Sequence, residues 1–392
     1  MPHQEPHHHR DRRDHGHHHR HQSSVPEFRF SVEIAVLVRS RRFEHKTVEA
    51  LQEEVGHRLA LAGVLNYHIA SGLKSENFKD WTIASSLSVQ SRPREHKYGI
   101  KLVSPYMPFA WFDVWKAQIR AVLHVLNNDF ETTTQHQCGT SIHIVPMAGY
   151  WHLSQAKALA KSAVYFESCL DRLMPLYRRK SVMAKSNRWN PYFGGLSPAQ
   201  CLEKIEAQPS FQALAARMNW CAKESATGIA LRKKDDFQHD GFRWNFINVG
   251  VLNGHSPIEY RQPPGVTESS DMIAWISLVV CFAQMSVANA DTLKGTRTAQ
   301  LSKLAEMIYD QAKRANVPRA SLIKGLVEQA DPPPAGAKHD RMVLAWPDQT
   351  NITIDDDQRL RWREKEPSIA RDKYWNLVKD RTPTEPAARL RW

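Results

Sequence analysis

Four residues stand out because their types and positions could do chemistry together. Glu33 interrupts the apolar run Val32-Glu33-Ile34, and His143 interrupts Ser141-Ile142-His143-Ile144. In Ile258-Glu259-Tyr260-Arg261 an acid and a cation alternate, which puts both on one face of a strand. A single acid at an alternate position ordinarily faces solvent. Burying a charge is costly unless it is paired or meets a ligand or metal. Charged or titratable groups on three separate apolar strands therefore point to one shared polar site. Carboxylates can supply oxygen ligands, and an arginine fork suits a carboxylate or phosphate.

The elements that must position them follow from hydrophobic periodicity. Phe28–Val38 is rich in β-branched and aromatic residues and is predicted to be a strand. Residues Thr47–Gly63 carry Val48, Leu51, Val55 and Leu59 at helical spacing, with Gly63 as the stop. Trp81–Val89 and Tyr98–Val103 are expected to be strands around a basic turn, Trp111–Phe130 an amphipathic helix, and Gly139–Pro146 the strand holding His143. Ser154–Tyr177 is predicted to be a helix capped by Ser154, followed by helices starting at Ser197-Pro198 and spanning Ser210–Asn219. Arg243–Leu252 and Ile258–Arg261 return to strand, and helices at about 268–290 and 297–315 complete the core. Strands interleaved with helices imply an α/β or α+β fold.

Composition bounds the rest. The chain has 392 residues, 42% hydrophobic and 24% charged, and a formal net charge of +12. Residues 1–26 form a low-complexity His/Arg-rich tail expected to be disordered, residues 28–330 one folded domain, and residues 331–392 a Pro-containing linker and charged tail. The cations are scattered and no basic stripe with interleaved aromatics occurs, so nucleic acid is not favoured as a partner. The apolar stretch Met272–Ala290 is long enough to cross a bilayer. Gln284 and Asn289 interrupt it and Glu268 and Asp271 open it, so a buried core helix is the better reading. Five scattered cysteines without a CxxC fit reduced thiols and a cytoplasmic location.

The segments FSVEIAVLV, WTIASSLSV, YGIKLVSP, CGTSIHI, RWNFINVGVLN and IEYRQPPGV resemble, in order and spacing, the motifs of the fungal proteins grouped as putative amidoligases. That family is related to the glutamate–cysteine ligase and glutamine synthetase group. The resemblance runs from about Phe28 to Ala290. It implies an α+β fold with an antiparallel or mixed sheet and packed helices, like those relatives. It also implies an ATP-dependent ligase that forms an amide from a carboxylate and an amine, small molecules or peptides, through an acyl phosphate. ATP and Mg²⁺ would be the cofactors, and oxygen ligands on neighbouring strands would hold the metal.

Carried over residue by residue, Glu33, His143, Glu259 and Arg261 match catalytic positions, and Glu33 and Glu259 the metal ligands. Asn248 matches an asparagine of the strand before Glu259. Arg178, Arg179 and Asn187 lie where the family tends to hold substrate or phosphate. Other positions depart: Ala35, Ser86 and Lys101 stand where the family has acids, and Ser141 where it has a histidine. A lysine beside a Mg²⁺ site repels the metal. The expectation is weakened or lost metal–nucleotide binding, unless Asp80, Asp113 or Asp240 supplies the missing ligands. If Lys101 shares a sheet face with Glu33 or Glu259, an ion pair should occupy the metal position. Two functions stay open: a working ligase, and a catalytically degenerate relative with a binding or regulatory role.

Overall fold

The computed structural model describes residues 26–68, 79–86, 88–134, 137–179, 181, 183–189, 191–193, 196–221, 237–296, 299–318 and 320–331. The expectations for the two tails lie outside these residues. The strands are β1 (Phe28–Ser40), β2 (Asn66–His68), β3 (Trp81–Ser85), β4 (Tyr98–Val103), β5 (Met107–Pro108), β6 (Phe130–Thr133), β7 (Gly139–Pro146), β8 (Trp220–Cys221), β9 (Phe237–Gln238), β10 (Trp244–Asn245) and β11 (Ile258–Tyr260). The helices are α1 (Val48–Leu61), α2 (Phe112–Asp129), α3 (Leu153–Tyr165), α4 (Glu167–Asp171), α5 (Leu176–Arg179), α6 (Pro198–Glu206), α7 (Phe211–Asn219), α8 (Ile247–Val251), α9 (Ser269–Ala288), α10 (Leu301–Arg314) and α11 (Ser321–Glu328).

One sheet organises the molecule, in the order β10-β11-β7-β1-β4-β3-β2, with β5 and β6 also pairing with β1. Every pair is antiparallel except β2 with β3, so the sheet is mixed and the fold is α+β. β1 is central, pairing with β4, β5, β6 and β7, and nearly all its side chains are buried. Its even-numbered residues Phe28, Phe30, Val32, Ile34, Val36 and Val38 join the main core beneath the helices. Its odd-numbered residues Ser31, Glu33 and Ala35 point to the opposite face. Alternation along this one strand thus separates the core from the polar site.

α9 fills the centre of the helical layer. It is long and apolar enough to cross a membrane, yet fifteen of its residues are buried against the sheet and neighbouring helices. Each polar residue that interrupts it has a local use. Gln284 Nε2 donates to the Pro26 carbonyl at 2.8 Å, and Asn289 Nδ2 to the Met285 carbonyl at 2.8 Å. A helix apolar all round belongs in a core when its surroundings are protein.

Local rules set most boundaries. Thr47 Oγ1 accepts from the Ala50 amide at 3.2 Å to start α1, and Gly63 beyond its end has φ +76°. Ser197 and Gln200 form the expected capping box of α6. Three expectations need correction. The predicted helix 154–177 starts at Leu153 with His152 as its cap and divides into α3, α4 and α5. Pro175 lacks an amide to continue the ladder. β3 stops at Ser85 rather than Val89, because the Ser86 hydroxyl accepts from the Val89 amide at 3.3 Å and turns the chain. The predicted strand 243–252 is strand only at β10 and then becomes α8. Asn245 Oδ1 accepts from the Ile247 amide at 3.0 Å and starts that helix.

Candidate functional site

The register brings the singled-out residues onto the sheet face opposite the helices. Antiparallel partners share a face, so the pairings define rows across the strands. The first row is Glu259 on β11, His143 on β7 and Ser31 on β1. The second holds Ser141, Glu33 and Val103. The third holds Gly139, Ala35, Lys101 and Ala84. Arg261 follows β11 directly, and its Nε reaches Glu259 Oε1 at 3.2 Å, so the two residues do point the same way.

Each acid on this face already has a cation or donor. Lys101 Nζ lies 3.3 Å from Glu33 Oε2, the ion pair expected from the sequence. Glu259 Oε1 faces Arg261 and, at 3.7 Å, His143 Nε2, while Asn245 Nδ2 donates to Glu259 Oε2 at 3.0 Å. Burial alone would raise the Glu259 carboxyl. Arg261, His143 and hydrogen bonds from Asn245 and Ser141 outweigh that and hold it below the usual carboxylate range. Burial disfavours the Arg261 charge, but Glu259, Asp240 and Glu33 outweigh it and raise its pKa. The exposed Asp240 caps the far side of Arg261 through Oδ2 at 3.3 Å.

Arg178 also reaches this face, from α5. Its Nε donates to the Gln262 carbonyl at 2.9 Å and its Nη2 to the Arg261 carbonyl. A Cβ added at Gly139 would lie 2.9 Å from Arg178 Nη2, so the guanidinium rests where only glycine leaves room. Burial pushes the Arg178 guanidinium down to about 10, with Tyr177 opposing and Arg261 adding to the effect.

The other residues expected near a cofactor are used elsewhere. Asn187 is fully buried. Its side chain donates to the Met218 and Trp244 carbonyls at 3.0 and 2.8 Å and accepts from the Trp244 amide at 2.9 Å. It bolts β10 to α7 and has no donor left for a ligand. Arg179 bonds the Met174 carbonyl at 2.8 Å and pairs with Asp331. Asn248 is exposed on α8, whose other side packs on α7, because the strand that was to carry it ends at Asn245. The asparagine on the site is Asn245, which sequence reasoning missed. It falls opposite Glu259 across the β10–β11 pair, a register that no local pattern marks.

Behind the site lies a buried ionic cluster. Arg243 Nη1 contacts Glu167 Oε1 at 2.6 Å and Asp171 Oδ1 at 2.8 Å, and Arg188 Nε contacts Glu167 Oε1 at 3.3 Å. Gln262 Nε2 donates to Asp171 Oδ1 at 2.7 Å and its Oε1 accepts from the Tyr260 hydroxyl at 2.9 Å. The cluster ties β11 and the chain after it to α4. It thereby orients Glu259 and Arg261.

These residues do not fit a Mg²⁺ ion. Magnesium requires near-octahedral oxygen ligands at about 2.0–2.1 Å. Glu33 and Glu259 stand in different rows, each held by cations, and Ala35 and Lys101 offer no oxygen ligand beside Glu33. Among the described residues, no group of three or more His, Cys, Asp or Glu side chains is placed to hold a metal. Two of the substitutes considered from the sequence, Asp113 and Asp240, do not repair this. Asp240 is paired with Arg261, and Asp113 opens α2 in the helical layer on the other side of the sheet. The Ser86 hydroxyl is taken up by Ser88 Oγ at 3.1 Å and the Val89 amide at 3.3 Å.

An α+β sheet with helices packed on one face and a row of charged and polar residues on the other defines the class. The family model described as "Putative amidoligase enzyme" matches residues 26–283, well over half of the chain, and the chain belongs to that family. No curated protein matches it.

Proposed function

We propose that this protein is an amidoligase-family member that uses the polar sheet face to bind an anionic small molecule, and that ligation itself is weakened or lost. The observation that carries the reading is the Lys101–Glu33 ion pair at 3.3 Å, in the row beside Ala35. An ammonium there neutralises the acid that a divalent cation would need. It also leaves the face suited to oxyanions. Arg261 is the fork for a carboxylate or phosphate, preoriented by Glu259 and Asp240, and Asn245 and His143 hold Glu259 in place. The relationship to the glutamine synthetase and glutamate–cysteine ligase group, a fungal origin and a cytoplasmic location belong to this proposal. The mixed sheet agrees with the first of these, and five buried cysteines that form no disulfide agree with the last.

A working ATP-dependent ligase is the second reading, favoured by one observation. Glu259, Arg261, His143 and Glu33 all lie on the same face. Calorimetric titration with Mg·ATP and ADP release with panels of carboxylates and amines separate the two. The first reading expects no Mg²⁺-dependent nucleotide binding and no amine-dependent ADP release. Tight, Mg²⁺-dependent binding with ADP release would overturn it.

A further inference from the structure

Three places on the molecule invite a further function: Arg29 beside the turn at Gly149, the contact of Lys185 Nζ with Cys221 Sγ at 3.2 Å, and the exposed apolar residues Leu61, Leu65, Trp111 and Val114. The first carries furthest. Lys185 and Cys221 are both buried, and nothing marks what would cover the apolar residues. Arg29 is a half-buried cation with no partner among the described residues.

We propose that Arg29 is a ligand-binding residue of the polar sheet face, which takes a phosphate or carboxylate group of the bound molecule at the end away from Arg261. The proposal rests on the reading of that face as a ligand site. Arg29 is an odd-numbered residue of β1, so it shares the face of Ser31 and Glu33. Its cross-strand partners are Val145 on β7 and Pro108 on β5, both uncharged. The row of Ser31, His143 and Glu259 comes next, and Arg261 lies beyond it. The face therefore carries an arginine on each side of its histidine.

The fold holds this guanidinium in place without using its charge. Nη2 packs on the turn after β7: a Cβ added at Gly149 would lie 3.3 Å from it, and that glycine has φ +85°. The Gly149 amide donates to the Pro146 carbonyl at 2.8 Å and the Met147 amide to the Glu27 carbonyl at 3.0 Å, so the turn is tied to the start of the strand. Nε is sealed from water without an acceptor. Among the described residues no hydrogen bond or ion pair engages the guanidinium, and Glu27, two residues away, is exposed and does not pair with it. A partly desolvated cation with no acceptor is unfavourable, and an oxyanion on its outer Nη edge supplies the missing partner. Arg29 is half-buried, so that edge is within a ligand's reach, and no existing ion pair has to break.

The test is isothermal titration of the full-length protein in EDTA with inorganic phosphate, tripolyphosphate and glutarate. At least one probe should bind, and the phosphate and glutarate arms separate a phosphate from a carboxylate as the group recognised. Arg29→Met keeps the aliphatic stem and should weaken that binding by about tenfold or more, the loss expected for one charge-assisted hydrogen bond, while Arg29→Lys retains part of it. Lys303→Met removes an exposed charge from α10 and should leave binding unchanged. The urea midpoint of Arg29→Met should not fall, because no partner is lost, and Arg29→Gln replaces that variant if circular dichroism finds it unfolded. Binding that survives Arg29→Met, or that Lys303→Met weakens equally, would overturn the Arg29 site and leave the polar face standing. A lower midpoint without rescue of binding by lysine would make the residue structural and overturn the site as well. No binding of any probe would overturn both the site and the reading of the face.

Discussion

Lys101 and Glu33 meet on a diagonal between β4 and β1, one row apart, with Nζ 3.3 Å from Oε2. Both side chains are a quarter exposed, so water screens the pair. Exposed pairs of this kind contribute about 0–1 kcal/mol. Lys101→Met should therefore change stability to denaturant by less than about 1 kcal/mol. A much larger loss would make Lys101 a structural residue rather than a feature of the site.

Gly139 has a physical reason to be glycine in this fold. Its missing Cβ admits the Arg178 guanidinium. Gly139→Ala should displace that group and destabilise the fold by about 1–3 kcal/mol, as overpacking does elsewhere. Chemical denaturation measures this, and an unchanged midpoint would mean that Arg178 relocates freely.

The cluster around Arg243 offers a sharper contrast. Arg243→Met leaves Glu167 and Asp171 buried without their shared cation. The expected loss is about 3–5 kcal/mol. Because Asp171 also holds Gln262, the substitution should loosen the chain just after Glu259 and Arg261, visible as faster amide exchange at 258–262.

Glu259 should leave a mark on the acid limb of stability. Its folded pKa lies below the usual carboxylate value, so its contribution is present above that value, about 4.3, and is lost as pH falls through the folded one. Glu259→Gln should flatten the pH dependence of stability below that range. A profile identical to the parent protein's would show that Glu259 is not held low.

Thiol chemistry gives a further check on the core. Burial pushes Cys169 and Cys201 up to about 12, with only partial relief from nearby cations such as Arg188. At pH 8 both should resist iodoacetamide in the folded protein and react promptly in urea. Rapid native labelling of either would mean that its part of the helical layer opens readily.

Much of this arrangement was legible in the primary structure because it depends on short-range rules. The two-residue alternation of Phe28–Val38 separates the core face from Glu33, and the same period places Glu259 beside Arg261. Caps at Thr47 and Ser197 are equally local. Asn248 and Asn187 went astray for the opposite reason. Asn245 ended its strand by turning the chain into α8, and the carbonyls of Met218 and Trp244, distant in sequence, claimed the Asn187 amide.

The sequence by itself determined the central strand Phe28–Ser40 and its neighbours Tyr98–Val103 and Gly139–Pro146, and the face on which Glu33 and Glu259 lie. It also carried the family resemblance. Only the tertiary structure decided which charges meet. The register set Lys101 opposite Ala35 and within reach of Glu33, and it put Arg178, far from both in sequence, over Gly139. Alternation assigns a residue to a face, but the distance between two charges depends on how strands align. That alignment is fixed by the packing of the entire sheet against its helices.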